Sequence, residues 1–392
     1  MINRICYTIF CCTFCLFAYA QNGFGQSGAI NILPSVYDGE NVNHSNEPLI
    51  VIDTTTFKNQ IGNYRLRIPF CEVSNAGSII VGADIRENTS SDQTRISIGI
   101  VRSTDEGASF KNSQIILPHT NCSKWDRVMD GTILVDRETG RIYVFAHRIK
   151  SANIWERVHK KGDYNFDCSY VFSDDDGITW SDPQSFRKEL SIDTTHVISI
   201  FGGVGHGITM SDGTLVLPIQ CKMEVNDTLE TYPLQSGIAY SKDHGRSWIC
   251  ESLVPCYSSE CMVVEYEKGK LMVNSKSYIG KRRVYVSDNL GRSWIQHQSD
   301  KMLIEPKACQ GSFHMLKDKG FFLNPCHDKE RKNLMLQVSS DYINWKPIMQ
   351  LISNKSFGYS CLCNSDAYLF AVTETLGNSI LLYKISISSN IQ

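Results

Sequence analysis

SDDDGITW, residues 173–180, is the stretch that sets the fold. Its spacing returns in STDEGASF from Ser103, SKDHGRSW from Ser241 and SDNLGRSW from Ser287. Each copy reads Ser, any residue, Asp or Asn, any residue, Gly, any residue, Ser or Thr, then Trp or Phe. A shortened copy without the glycine, SSDYINW, begins at Ser339, so successive starts are 70, 68, 46 and 52 residues apart. Periods of this size belong to repeat architectures such as propellers. The residue types describe a turn. An Asp side chain can accept hydrogen bonds from the N–H groups of its own loop, and Gly supplies a positive φ that a side chain resists. The closing aromatic, as at Trp180 or Trp248, buries apolar area where the next strand begins. Tyr170-Val171-Phe172 and Val284-Tyr285-Val286 lead into two of the copies, which marks the unit as a β-hairpin. The spacing is not that of a calcium loop, so the repeat reads as structural.

Outward from the repeats, strand-like runs extend from about residue 48 to 388 with little helical periodicity. Six four-stranded blades would take about 57 residues each. The expected fold is all-β, a six-bladed β-propeller. The 392 residues are 42% hydrophobic and 20% charged with a formal net charge of −2, an ordinary globular composition. No Lys/Arg block stands out, so no nucleic-acid partner is expected.

Arg4, the apolar run from Ile5 to Phe17 and Ala18-Tyr19-Ala20 read as a secretory signal over residues 1–20, cut before Gln21. A retained membrane anchor ranks second, because the run is short for a bilayer. Residues 21–45 form a short polar lead-in, and 46–392 form the propeller. The expectation is an exported protein, secreted or periplasmic, with no stable membrane insertion. Four of the fifteen cysteines lie in the signal, and the remaining eleven cannot all pair within one chain. A chain this long does not need disulfide staples. Cys361 and Cys363 share one face of a strand and read as small buried apolar groups, and no cysteine spacing matches a zinc site.

The repeats resemble the Asp-boxes of the sialidase superfamily, where each box lies at the turn between the outer strands of a blade, away from the active site. Asp-boxes also occur in proteins of other activities, so they speak for the fold and leave function open. Other segments resemble the family's functional motifs in order along the chain. YRLRIPF, residues 64–70, makes Arg67 the first of three cations that hold the substrate carboxylate; a guanidinium offers it a planar fork. VGADIRENTSSD, residues 81–92, places Arg86 near the sugar's 4-hydroxyl and Asp92 as general acid/base, with Asp84 in reserve. RVMDGTILVD, residues 127–136, puts Asp130 beside the N-acetyl and 4-hydroxyl groups, with Asp126 a weaker competitor. In FGGVGHG, residues 201–207, the glycines imply a tight backbone path near the pocket, and His206 reads as a packing or rim residue. No helix pattern follows, so this is not a nucleotide loop.

SSEC, residues 258–261, makes Glu260 the carboxylate that takes the nucleophile's proton, while Glu265 and Glu267 read as exposed hairpin residues. Sixteen residues after Glu260 the family has its second arginine; this chain has Lys276, a point charge without the fork. Arg282 or Arg283 could substitute if their loop folds inward. Arg331, before the strand into the degenerate box, is the third cation, and SFGYSCL, residues 356–362, makes Tyr359 the nucleophile. Trp155 and Met129 are loosely placed candidates for a pocket wall.

The resemblance implies an exo-α-sialidase that hydrolyses terminal α-linked sialic acids with retention of configuration, through a tyrosine in place of the usual second carboxylate. It implies no metal and no cofactor. The expected partners are sialylated glycans of glycoproteins, glycolipids and oligosaccharides, met by a monomer. The three cations are expected to lower the pKa of Tyr359. Three readings stay open beside the hydrolase: a trans-sialidase, a hydrolase of deaminated sialic acid, and a propeller that binds sialic acid with catalysis weakened by Lys276. A plain adhesion or scaffold propeller gives no reason for Arg67, Asp92, Glu260, Arg331 and Tyr359 to occur together.

Overall fold

The computed structural model describes residues 47–120, 126–149, 166–193, 195–224, 234–306 and 308–387; the signal and lead-in readings and Trp155 fall outside them. The alternating strands sort into six antiparallel blades around a ring. Blade 1 runs Tyr64–Val73, Ile79–Glu87, Ile96–Ser103 and Lys111–Leu117. Blade 2 runs Arg127–Val135, Ile142–Ile149, Phe166–Ser173 and Gln184–Ser185. Blade 3 is Val197–Gly202, Leu215–Met223 and Leu234–Ser241, with its outer position shared by Trp248–Cys250 and Leu253–Tyr257. Blade 4 is Ser259–Glu267, Lys270–Lys276, Arg283–Ser287 and Ile295–Gln296. Blade 5 is Ser312–Leu316, Lys319–Pro325, Leu334–Ser339 and Lys346–Ile352.

Blade 6 takes three strands from one end of the chain, Ser360–Asn364, Tyr368–Glu374 and Ser379–Ser386, and its fourth, Leu49–Asp53, from the other. Leu49 pairs with Leu382 and Asp53 with Ser379, so one ladder closes the ring. Closure leaves no long unpaired edge between the last blade and the first. The joint is filled by Val51, Ile52, Tyr64, Cys71, Val81, Cys361, Cys363, Phe370 and Val372, all buried. No helix among the described residues is long and apolar enough to cross a membrane.

Each box forms the turn between the third and fourth strands of its blade, as the hairpin reading requires. In blade 1, Asp105 Oδ1 accepts the Ser109 N–H at 2.9 Å and Ser103 Oγ accepts the Gly107 N–H at 2.9 Å. The same pair of bonds recurs at Asp175 and Ser173, at Asp243 and Ser241, and at Asn289 and Ser287. In the shortened copy, Asp341 takes the N–H groups of Ile343 and Asn344, and no glycine is needed. Of the closing aromatics in the four full copies, only Trp248 is fully buried; Phe110, Trp180 and Trp294 are partly exposed.

The boxes also join neighbouring blades. The Tyr143 hydroxyl of blade 2 donates to the His244 carbonyl in the blade 3 box at 2.7 Å. Asp176, in the blade 2 box, accepts hydrogen bonds from Ser74, Ser78 and Arg102 of blade 1. Gly245 stands at φ +78°, and a Cβ there would lie 2.6 Å from the Tyr143 hydroxyl oxygen. Gly245→Ala combines backbone strain with this collision. It should cost about 1–3 kcal/mol in urea unfolding; a loss under about 0.5 kcal/mol would show that the box does not hold blade 3 to blade 2.

Candidate active site

Strand direction decides which end of the ring carries chemistry. In each blade the first strand starts, the second ends and the loop to the third begins on one face, while the third-to-fourth turns lie on the opposite face. The boxes therefore occupy the second face. Arg67 and Glu260 lie near the starts of first strands, and Tyr359 just precedes one. Lys276 ends a second strand, while Asp92 and Arg331 stand in second-to-third loops. All six fall on the first face.

Three first strands break register where a candidate site residue stands. In blade 1, Arg67 faces Asp84 but Phe70 faces Gly82, so Ile68 and Pro69 bulge out. Ile68 adopts φ +57°, an unfavourable conformation for a β-branched residue. Blade 2 bulges between Met129 and Thr132, with Asp130 at φ +63°, and blade 4 bulges between Ser259 and Cys261, at Glu260. Bulges bend a strand and re-aim side chains. Here they turn Arg67, Asp130 and Glu260 out of the regular alternation.

The cluster converges on Tyr359, whose hydroxyl donates to Glu260 Oε1 at 2.9 Å. Lys276 Nζ lies 2.7 Å from the same oxygen and 3.3 Å from the phenol oxygen. The guanidinium carbons of Arg67 and Arg331 stand 5.3 Å and 5.4 Å from the centre of the Tyr359 ring. Arg331 is held by the carbonyls of Phe357 at 2.9 Å and Ala308 at 2.5 Å. Gly358, at φ +84°, allows the close approach of Tyr359's own backbone; a Cβ there would lie 2.7 Å from Pro325.

The expected lowering of the Tyr359 pKa does not occur: the phenol is held well above its ordinary value. Burial is the main cause and the Glu260 charge the next, and together they outweigh Lys276 and Arg331. Sequence shows the cations but cannot show how deeply the ring is buried.

Asp92 remains reachable, its side chain 34% exposed, and Arg86 Nη1 holds it at 2.5 Å. Burial raises its pKa, but Arg86, Arg67 and Lys276 outweigh that and leave it lowered. Arg86 itself is fully buried and also pairs with Asp84 Oδ2 at 2.8 Å, so in this structure it presents no surface to a sugar hydroxyl. Asp84 is sealed in as well. It accepts the Asp130 N–H at 3.0 Å, and burial pushes its carboxyl up to about 6. That makes it a support for the bulge rather than a reserve acid. The Asp130 carboxyl is held well above its usual range by burial and by Asp84, Glu260 and Asp92, which favours a neutral group able to donate a hydrogen bond.

Other candidates fall outside the cluster. Asp126 is buried and accepts the Thr120 hydroxyl at 2.7 Å. Arg282 pairs with Glu305 and Arg283 with Asp300, so neither replaces the missing arginine. Met129 packs with Ile96 and Ile149. His206 is buried with its ring 5.3 Å from that of His314. The glycines beside it serve packing: a Cβ at Gly203 would meet the Cys261 carbonyl at 2.5 Å, and one at Gly207 the Val216 carbonyl at 2.7 Å. Glu265 is only partly exposed, because it accepts the N–H groups of Ser211 and Gly269.

Sequence reasoning missed Glu374. It is fully buried at the end of Tyr368–Glu374. Its Oε2 accepts Arg67 Nε and the Ile68 N–H, each at 2.9 Å, and its Oε1 accepts the Tyr359 N–H at 3.1 Å. The available signal was a lone acid closing an apolar strand soon after the tyrosine motif. Among the described residues no group of His, Cys, Asp and Glu is arranged to hold a metal ion.

The chain matches the BNR repeat-like domain over residues 70–352. A sialidase of Bacteroides fragilis is 31% identical over 344 residues, covering 82% of this chain and 60% of that protein. A sialidase of Paraclostridium sordellii is 30% identical over 380 residues, 89% of this chain and 92% of its own length. The solved structure of the Hadza microbial sialidase Hz136 superposes with a TM-score of 0.78 at 30% identity, over 87% of this chain and 68% of that one. This chain thus spans under two thirds of the Bacteroides relative but nearly all of the Paraclostridium one. The agreement runs through repeat, sequence and fold alike, and the chain belongs to the sialidase family of glycoside hydrolases.

Proposed function

We propose that the protein is an exo-α-sialidase, releasing terminal α-linked sialic acids from glycoconjugates with retention of configuration and Tyr359 as nucleophile. The observation that carries this reading is the 2.9 Å hydrogen bond from the Tyr359 hydroxyl to Glu260 among Arg67, Lys276 and Arg331. Sialic acid bears a carboxylate on its anomeric carbon. Three cations suit that group, and a neutral phenol approaches it with less repulsion than a second carboxylate.

The raised proton affinity of Tyr359 is compatible with this role. Free ionisation would add a charge to a buried site, whereas passing the proton to Glu260 only moves the existing negative charge from carboxylate to phenolate. Lys276 and Arg331 then stabilise the phenolate. The phenol oxygen bonds to the anomeric carbon as the bond to the aglycone breaks, and Asp92 donates its proton to the leaving oxygen. In the second half Asp92 takes a proton from water, the water oxygen bonds to the anomeric carbon, and the tyrosyl bond breaks. Glu260 returns the proton to Tyr359. The cations that lower the Asp92 pKa are partly neutralised when the substrate carboxylate binds, which makes its protonated form easier to reach.

Lys276 supports a second reading, a propeller that holds sialic acid without cleaving it, because an ammonium cannot fork onto a carboxylate. Incubation with α2,3- and α2,6-sialyllactose, following free sialic acid and the labelled trisaccharide formed with added isotope-labelled lactose, decides among hydrolysis, transfer and binding alone. Hydrolysis is the expected outcome, and Tyr359→Phe should lose nearly all of it while remaining folded. A fully active Phe variant would remove Tyr359 from the mechanism.

The acid role of Asp92 has its own signature. With sialyllactose, Asp92→Asn should lower kcat by about 10²–10⁴-fold, because the sugar leaving group needs a proton. With an aryl sialoside, whose leaving group is stable as an anion, the loss should be far smaller. The wild-type kcat on sialyllactose should fall as rising pH deprotonates Asp92 in the substrate complex, where the lowering by Arg86, Arg67 and Lys276 is partly relieved. Equal losses on both substrates would argue that Asp92 only shapes the site.

A further inference from the structure

Arg282 and Glu305 are both fully buried and meet at 2.7 Å, Nη1 to Oε2. Arg282 Nε donates to Asn274 Oδ1 at 2.6 Å and Nη2 to the Asn274 carbonyl at 2.9 Å, while Nη1 also reaches the Cys309 carbonyl at 3.1 Å. Glu305 Oε1 accepts the Ser277 N–H at 2.9 Å. These contacts fall on both sides of Lys276, with Asn274 two residues before it and Ser277 one after. They also reach the segment whose carbonyl holds the Arg331 guanidinium. Cys309 follows Ala308, whose carbonyl accepts Arg331 Nη2 at 2.5 Å and whose N–H donates to the Ser277 carbonyl at 3.3 Å. Ala308 adopts φ +61°, a conformation that persists only where its surroundings enforce it.

We propose that Arg282 and Glu305 are positioning residues for carboxylate recognition, setting the separation and direction of the Lys276 ammonium and the Arg331 guanidinium. The proposal rests on the assignment of those two cations to the substrate carboxylate. An arginine at position 276 would bring its own planar geometry to the ligand; a lysine brings a point charge on a flexible stem, so its placement depends on the backbone that carries it. The five donors of one guanidinium can reach two chain segments at once, which an apolar pair of the same volume cannot. Displacement of a binding group by about 1 Å is enough to cost about a hundredfold.

Glu305→Gln removes the charge and keeps the size, and Arg282→Lys keeps the charge and loses the reach to two segments. KM and kcat on α2,3-sialyllactose and the calorimetric Kd for N-acetylneuraminic acid are measured below the melting midpoint of each variant, which is recorded separately. Both variants should raise KM and Kd at least about tenfold with kcat changed less than about threefold, the pattern of lost binding common to ground and transition states. In a Lys276→Met background, Glu305→Gln should add a smaller factor than it does in the wild type, because one of the two groups it positions is gone and only the Arg331 share remains. If Glu305→Gln does not fold, Glu305→Asp, which keeps the charge and shortens the reach, should give a smaller shift in the same direction. A lowered melting midpoint with KM and Kd within about twofold of wild type would overturn the proposal, as would full additivity with Lys276→Met. Wild-type protein that neither binds nor cleaves sialosides would instead overturn the functional reading itself.

Discussion

The carboxylate of Glu374 is the contact on which the site depends. It is wholly buried, and it takes a hydrogen bond from Arg67 Nε, one from the Ile68 N–H in the blade 1 bulge and one from the Tyr359 N–H of blade 6. A buried carboxylate is tolerated only when paired and saturated with donors. Satisfying it here fixes the Arg67 guanidinium and the Tyr359 phenol relative to each other. Truncating it would leave the Arg67 charge short of its partner and free the backbone on both sides of the ring closure. Arg67 cannot swing toward Tyr359 because its Nε is committed, so its remaining guanidinium donors face a defined direction.

Around that anchor the charges divide into two groups with different tasks. Arg67, Lys276 and Arg331 surround the phenol, whereas Arg86 sits behind Asp92 and Asp84 with no exposure of its own. The first group is placed to meet an anion and the second to orient one of the protein's own. Attraction among these charges is stronger than it would be in water, since little solvent reaches them. The same burial holds the Tyr359 proton more tightly than in water, and Glu260 is the carboxylate within hydrogen-bond reach of it.

Local chemistry was legible in the sequence and long-range geometry was not. The box turns could be derived because eight consecutive residues contain every donor and acceptor involved, as at Ser241, Asp243, Gly245 and Ser247. The motifs around Arg67, Glu260, Arg331 and Tyr359 could be recognised for the same reason. The bulges at Ile68, Asp130 and Glu260 were invisible, because a register shift is defined only against the partner strand. Glu374 left only a faint mark, a lone acid ending an apolar strand, because its partners are 15 and 307 residues away in the chain. Arg282 and Arg283 were ambiguous from sequence since either could have turned inward, and Glu305 and Asp300 decide the matter.

The strand Leu49–Asp53, laid against Ser379–Ser386, governs the order in which this chain can assemble. Contacts between residues more than three hundred positions apart bring a large loop-closing entropy and make folding slow. A ribosome must deliver residues 379–386 before blade 6 can gain its outer strand. Until then Arg67 and Tyr359 belong to unjoined ends, and a prematurely terminated product would carry most of the blades but no assembled site. Assembly of the cluster thereby waits on synthesis of the last blade, and chains halted before it cannot bring Arg67 and Tyr359 together.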